Sequence, residues 1–510
     1  MKLPPPALAT LLLLYLVPFG WCEVETEPIP GKGTWVDSRL DRFPDEKPVR
    51  VTVWFEEQFL GDGEGFLRRA REFDVLGRSE LREKAIAALK SASDSAQEQA
   101  SPALNPMLEA GVITDLEFHW IVNGFSCSTT PKELEKLKDL PGVRTIFLSG
   151  PVRGALPEPN YETLPPQKKQ ASPFDPETKD PLWYVKKLKV DRVWKELGVT
   201  GKGVLNVIHD GNFVISDWIS ESIYWNPDEP RDGEDSDGNG WIDDVNGFNF
   251  IAQTGNMTRQ PMVEGRGNPS ILHGHQCVAI ICGRGGPGRE VQPGLAPDSQ
   301  WAGVIAMQNI EAAVEWAIEQ GADTYSMSFS RPNLGEYRSH WRKIAEHGAF
   351  CGVHFVSGAG NFAQSESIPV QMRIPEDIPL AVLAAAGVQR DLTRTPFSSQ
   401  GPVEWMTHHY RDGRVDKPEV CAFNARIPLL LPNEEKPTRV ANGNSFAGPM
   451  YCGTIALMLS ANPELKPWET RQIIIDTATD IAEEGFDFQT GHGLINAFEA
   501  VRLALESKKK

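Results

Sequence analysis

The chain has 510 residues, more than one hydrophobic core usually serves, so two or more folding units are expected. With 24% charged and 40% hydrophobic residues the composition is that of a globular protein, and the net charge of −18 argues against nucleic-acid or anionic-membrane partners, which need clustered Lys and Arg. The closing Lys508-Lys509-Lys510 is too short to change that balance.

Residues 1–22 begin with Lys2, continue through the apolar ALATLLLLYLVPFG and reach Gly20 and Cys22 before the acidic EVETE, the layout of an export signal cut near Cys22. The apolar run is short for a bilayer, and no later stretch is apolar enough to span one. A secreted, extracytoplasmic mature protein without a membrane span is therefore expected. The cysteines Cys22, Cys127, Cys277, Cys282, Cys351, Cys421 and Cys452 are scattered with no CxxC pair, which indicates neither a zinc site nor a dense disulfide framework.

After a linker over 23–48, the run VRVTVWFEE (49–57) alternates like a strand and the charged, alanine-rich 78–100 has helical spacing. ITDLEFHWIVNGFSCSTT follows as a strand or hairpin, PKELEKLKDLPGV as a short helix ended by proline and glycine, and VRTIFL as another strand. Residues 49–150 thus form a small α+β unit. The proline-rich 151–182 buries little and suits an exposed linker open to proteolysis.

From 183 to 505 the segments VLNVIHD, QCVAIICG, QWAGVIAM, IEAAVEWAIEQGA, DTYSMSFS, FCGVHFVSGAGN and IPLAVLAAAGV alternate between strand-like and helix-like patterns. Such alternation implies an α/β domain with a parallel sheet buried on both faces, whose functional groups sit on loops at the strands' carboxyl ends. Three of those places carry Asp210, His273 and Asn361. Residues 506–510 are a basic tail.

Within NGNSFAGPMYCGTIALMLSANP (442–463), a helix should start near Ser445, tolerate Pro449 in its first turn and stop at Asn462-Pro463. Being apolar all round, it belongs inside a large domain. Ser445 would sit at its N-terminus, where unpaired N–H groups and the helix dipole favour developing negative charge, a nucleophile's position; its plainer role is an N-cap. An acyl-transfer site needs a nucleophile, an imidazole to take its proton, a carboxylate to orient the imidazole and donors for the oxyanion, and all four types are present.

Three motifs carry a resemblance. GNSFAGP resembles the G-T-S-(M or F)-A-x-P around the nucleophile of subtilisin-like serine peptidases (subtilases), HGHQCVAIICG resembles H-G-T-x-V-A-G-x-I-A-G around their histidine, and SGAGN resembles the segment whose asparagine helps form the oxyanion hole. GLAPDSQ, IEQGADTYSMS, TPFSSQG and GFDFQTGHGLINAFEAV add support, and NGFSCSTTPKELEKLKDLPGVRTIF resembles the family's inhibitory propeptide. The resemblance implies a subtilisin-like doubly wound parallel sheet with flanking helices, preceded by a ferredoxin-like propeptide over 49–150. It further implies a secreted serine endopeptidase made as a zymogen, acting on protein or peptide substrates, with its own propeptide as intramolecular inhibitor and no cofactor needed for the chemistry. Ser445 is then the nucleophile, His273 the base, Asp210 its orienting acid and Asn361 an oxyanion donor, while Ser328, Phe329 and Ser330 with Gly358, Ala359 and Gly360 line the substrate cleft.

Several positions depart from the family pattern. His209-Asp210-Gly211-Asn212 leaves open a one-residue slip that would place His209 in the acid's position, Asn444 replaces threonine beside the nucleophile, His275 follows His273, Ser328-Phe329-Ser330 replaces Ser-x-Gly, and Ala422-Phe423-Asn424 replaces Ala-Pro-Gly. They motivate a second reading, a catalytically impaired subtilase-fold protein that binds peptides or partners. In the acidic loop 228–244, Asp235, Asp237, Asn239 and Asp243 stand at positions one, three, five and nine with Gly238 and Gly240 between, a pattern that suits calcium, although Asn246 occupies position twelve where a bidentate carboxylate is usual. The alternative to calcium is a solvated acidic insert, and the loop also motivates a third functional reading, an exported calcium-stabilised adhesion module. Asn256-Met257-Thr258 is a glycosylation sequon.

Overall fold

The alternating strand Val49–Phe55 is the centre of the first sheet. In the computed structural model, which describes residues 33–61, 65–150, 172–173, 180–211, 213–258, 272–285, 293–306, 309–429 and 439–508, this sheet runs Trp35–Val36, Val143–Leu148, Val49–Phe55, Gly124–Thr129, Thr114–His119. The leader 1–22 and most of the 151–182 linker lie outside the described residues. Apart from the short parallel edge strand, every pairing is antiparallel, and Arg78–Glu109 and Leu134–Lys138 supply the crossovers of a split βαβ arrangement. Two boundaries move from their expected places. Residues 35–42 are not a linker: Trp35–Val36 joins the sheet, and Asp37 caps a short helical turn that buries Leu40. The helix also continues past residue 100 through Pro102 and Pro106, because Ala100 and Leu104 extend its buried stripe. Tertiary burial there outweighs the lost backbone hydrogen bonds.

The second sheet has seven strands, all parallel, in the order Val420–Phe423, Val382–Val388, His354–Gly358, Thr324–Met327, Leu205–His209, Gln300–Ile305, Gly247–Asn249. Helices His273–Cys282, Ile310–Glu319, Arg338–Phe350 and Asn444–Ala461 flank it, the subtilisin-like α/β arrangement expected. Leu205–His209 is buried along its whole length, as a strand covered on both faces must be. The helix Asn444–Ala461 stops at the expected Asn462-Pro463 and is buried nearly throughout. It presses against strand His354–Gly358 so closely that a Cβ on Gly448 would come within 2.7 Å of the Gly358 nitrogen. That contact fixes the start of the helix over the strand's carboxyl end.

Residues 32–510 form one compact unit, so the two sheets share a core. Trp54, Phe66, Leu81 and Phe147 of the first pack in the same buried cluster as Trp341, Phe350 and Val207 of the second. Polar contacts tie the seam: Trp54 Nε1 donates to His340 Nδ1 (2.9 Å), and Ile121 N donates to Glu315 Oε1 (2.9 Å). Arg78 Nη2 donates to Asp323 Oδ1 (2.5 Å), and Asp323 Oδ2 accepts the N–H of Leu205 (2.9 Å), the first residue of the strand that leads to Asp210.

Candidate active site

Asp210 follows strand Leu205–His209 and is hung from its neighbour by its N–H to the Val304 carbonyl (3.0 Å). Its carboxylate accepts the Gly211 N–H on Oδ1 and the His273 Nδ1–H on Oδ2, both at 2.7 Å. His273 is the first residue of its helix and is partly exposed, whereas Asp210 is buried. Donation from Nδ1 leaves Nε2 of the neutral ring as the free basic nitrogen. Burial alone would lower the His273 pKa; the Asp210 carboxylate, helped by Cys277, outweighs it and raises the value well above the ordinary histidine range.

His209 does not take the acid's position. Its Nε2 donates to the Ala306 carbonyl (2.7 Å), its Nδ1 accepts from the Tyr325 hydroxyl (3.1 Å), and its ring lies 4.6 Å from that of Phe329. Burial lowers its pKa to about 4, so it is a neutral, fully partnered core group. His275 likewise points inward, with Nε2 2.8 Å from Ser216 Oγ.

Ser445 is the second residue of its helix, after Gly443 at φ +151°, a backbone setting that favours glycine. Its N–H is one of the first-turn groups the helix leaves unpaired. The Ser445 hydroxyl donates to the Ser328 carbonyl (3.4 Å), and the Ser328 hydroxyl donates to the Ser445 carbonyl (3.2 Å), so serine and cleft segment hold each other. Asn361, an exposed residue, accepts the Asn444 N–H on Oδ1 (2.8 Å), and its Nδ2 lies 3.8 Å from where a Cβ on Gly443 would stand, just before the helix. Asn444 sits inside a buried polar cluster: its Nδ2 donates to the Gly360 carbonyl (2.6 Å) and Ser398 Oγ (3.0 Å), and its Oδ1 accepts from Asn424 (2.6 Å). Two of the departures noted from sequence, Asn424 and Asn444, are thus hydrogen-bonded to each other.

Of the cleft segments, Ser328 touches Ser445, Phe329 covers His209, and Ser330 donates from Oγ to Glu376 Oε1 (2.6 Å). Gly358 and Ala359 are buried, and Gly360 takes a positive φ of +91° beside Asn361. Sequence reasoning missed two groups. Cys277 lies one turn beyond His273 on the same helix face, with Sγ 3.8 Å from Asp210 Oδ2, 4.0 Å from His273 Nδ1 and 3.6 Å from the Ser445 carbonyl oxygen. The (i, i+4) spacing could have found it. Glu376 stands in IPED, which carries no spacing signal at all.

The acidic loop gathers a different set from the one expected. Glu229, Asp237 and Asp244 bring carboxylate oxygens within 4.8 Å of one another, and of Asp235, Asp237, Asn239 and Asp243 only Asp237 belongs to that group. Asp235 spends both oxygens on the Asn239 and Gly240 N–H groups, Asp243 accepts from the Asp232 and Gly233 N–H groups, and the Asn239 side-chain Oδ1 accepts the Trp241 N–H. These carboxylates close the turn instead of facing inward. Asp244 is buried with Oδ1 lacking a partner, and burial lifts its pKa to about 6.

Residues 252–493 match the Subtilase family model, Peptidase_S8, a stretch that includes His273, Asn361 and Ser445 and begins after Asp210. Bacillopeptidase F of Bacillus subtilis is 23% identical over 467 residues, 82% of this chain and 28% of the relative. A probable subtilase-type serine protease of Deinococcus radiodurans is 25% identical over 328 residues, 59% of this chain and 40% of the relative. A calcium-dependent protease of Nostoc sp. is 26% identical over 277 residues, 46% of this chain and 40% of the relative. The chain therefore spans less than half the length of each of these three. In fold it is similar to the crystal structure of fervidolysin from Fervidobacterium pennivorans, with a TM-score of 0.54 and 15% identity, covering 92% of this chain and 63% of that one. Residues 252–493 thus match the Subtilase family, and the fold that carries them is similar to that of an enzyme related to subtilisin.

Proposed function

We propose that the protein is a secreted serine endopeptidase made as a zymogen, in which Asp210, His273 and Ser445 form the triad and Asn361 with the Ser445 N–H receives the oxyanion. The observation that carries this is the 2.7 Å Asp210–His273 hydrogen bond at the rim where Ser445 begins a buried helix. His273 takes the Ser445 proton as the hydroxyl attacks the scissile carbonyl and returns it to the leaving amine; Asp210 fixes the tautomer and stabilises the imidazolium. Before attack, the Ser445 hydroxyl must leave the Ser328 carbonyl and turn to His273 Nε2. Residues 33–150 act as the inhibitory propeptide. Their seat on helices Ile310–Glu319 and Arg338–Phe350 supports this.

Calcium fits the group Glu229, Asp237 and Asp244, because a buried carboxylate oxygen without a partner and two neighbouring carboxylates suit a hard cation. It would brace the loop and take no part in bond breaking. The printed name of the Nostoc relative, a calcium-dependent protease, points the same way.

Hydrolysis of a quenched-fluorescence peptide mixture by the purified full-length chain tests the reading. Ser445→Ala should lower kcat by about 10⁶-fold, to background, with an unchanged circular dichroism spectrum. Wild-type protein that binds peptides without cutting them would instead support the impaired-enzyme reading, which is favoured by one observation, the engagement of the Ser445 hydroxyl with Ser328.

A further inference from the structure

Glu376 is a carboxyl group with no exposed surface, and it lies beneath the candidate cleft. Its Oε1 accepts from Ser330 Oγ at 2.6 Å, and its Oε2 has no hydrogen-bond partner. The other wall of the cleft borders the same carboxyl: a Cβ placed on Gly360 would lie 2.9 Å from Glu376 Oε1. The segment is held in place from the cleft side, because Arg331 N donates to the Ile374 carbonyl at 2.7 Å. Two nearby cations are engaged elsewhere, Arg373 with Glu366 and Arg338 with Asp377.

Ser330 and Gly360 belong to the two segments that flank Ser445, and Gly360 precedes Asn361. The carbonyl under attack must lie against Asn361, so the side chain of that same substrate residue is the one that enters between the segments toward Glu376. We infer that Glu376 is a specificity-determining residue that selects a lysine or arginine on the acyl side of the scissile bond, its buried carboxylate pairing with the substrate's cation. An apolar side chain packed against it would leave the carboxyl dry and unpaired, whereas an ammonium or guanidinium supplies the missing charge and hydrogen bonds. The free group agrees with this: burial pushes its pKa up to about 8, as for a carboxyl awaiting a counter-charge.

The inference rests on the serine-peptidase reading for the location of the cleft, and its test does not need turnover. Fluorescent peptides ending in Arg or in Leu are titrated into full-length Ser445→Ala protein by anisotropy. The Arg peptide should bind about 100-fold tighter, a margin that Glu376→Gln abolishes and Glu376→Asp partly retains, the scale of a desolvated charge pair. Equal affinities, tighter Leu binding, no binding of either peptide, or a preference unchanged in Glu376→Gln would overturn it. A fluorophosphonate probe on the Ser445 protein separates the two ideas: labelling without an Arg preference sinks the specificity proposal alone, and an Arg preference without labelling sinks the enzyme reading alone.

Discussion

At His273 two opposing effects meet. Loss of solvent disfavours the imidazolium, and the Asp210 carboxylate at 2.7 Å favours it and prevails. In the proposed mechanism only neutral His273 accepts the Ser445 proton, so the active form should accumulate as pH rises through that elevated pKa. The rising limb of kcat/KM against pH should therefore lie on the alkaline side of the ordinary histidine value of about 6.5. Asp210→Asn removes the charge that lifts it, so the limb should move to lower pH while kcat falls about 10⁴-fold. A pH profile unmoved by that substitution would mean that another carboxylate orients the ring. The motif spacing was enough to favour Asp210 over His209. The reason the choice is sharp, a strand whose end alternates one side chain into the core and the next to the rim, appears only once Ala306 and Tyr325 are seen to hold His209.

Among the elements, the helix Asn444–Ala461 was the most legible, since its apolar run, its early Pro449 and its Asn462-Pro463 stop all act locally. The acidic loop was the least. Alternating Asp and Asn residues imply a calcium turn, but in this chain those side chains largely cap backbone N–H groups, and the oxygens that converge come from Glu229 and Asp244 with Asp237. Local spacing cannot reveal that difference, because the Asp244 position depends on the Trp316 and Asn239 groups packed against it. If calcium binds there, saturation to a hundred times its Kd should add about 2.7 kcal/mol of stability. Chelation should then lower the melting temperature of the full chain, Asp244→Asn should remove the response to chelator, and Asp235→Asn should keep it. An Asp244→Asn protein that still loses stability on chelation would place the ion elsewhere.

At the scale of the molecule, the first sheet is built into the second. Arg78 and Asp323 are nearly buried, with side-chain exposures of 10% and 12%, and Asp323 also holds the N-terminal end of the strand that delivers Asp210. Removing the guanidinium strands a buried carboxylate, so Arg78→Ala should cost about 3 kcal/mol, read as a lowered thermal midpoint. The loss should be far smaller for Lys84→Ala, whose ion pair with Glu80 is exposed. Equal effects would mean that the seam contributes nothing to the fold. This mutual burial was invisible in the chain order: alternation and turn residues marked two units and the strands of each, but Trp54 lies 286 positions from His340 and Arg78 245 from Asp323, and they show no pattern until the sheets meet. For the same reason Glu376 went unread while Asp210, His273 and Ser445, each in a local motif, did not.

The account depends on Ser445 being a nucleophile activated by His273. Fluorophosphonate labelling of the full-length protein, with the adduct located by peptide mass spectrometry, measures this most directly. One adduct on Ser445, lost in His273→Ala and strongly slowed in Asp210→Asn, is the predicted result; an unlabelled wild-type protein, or an adduct that persists in His273→Ala, would contradict it.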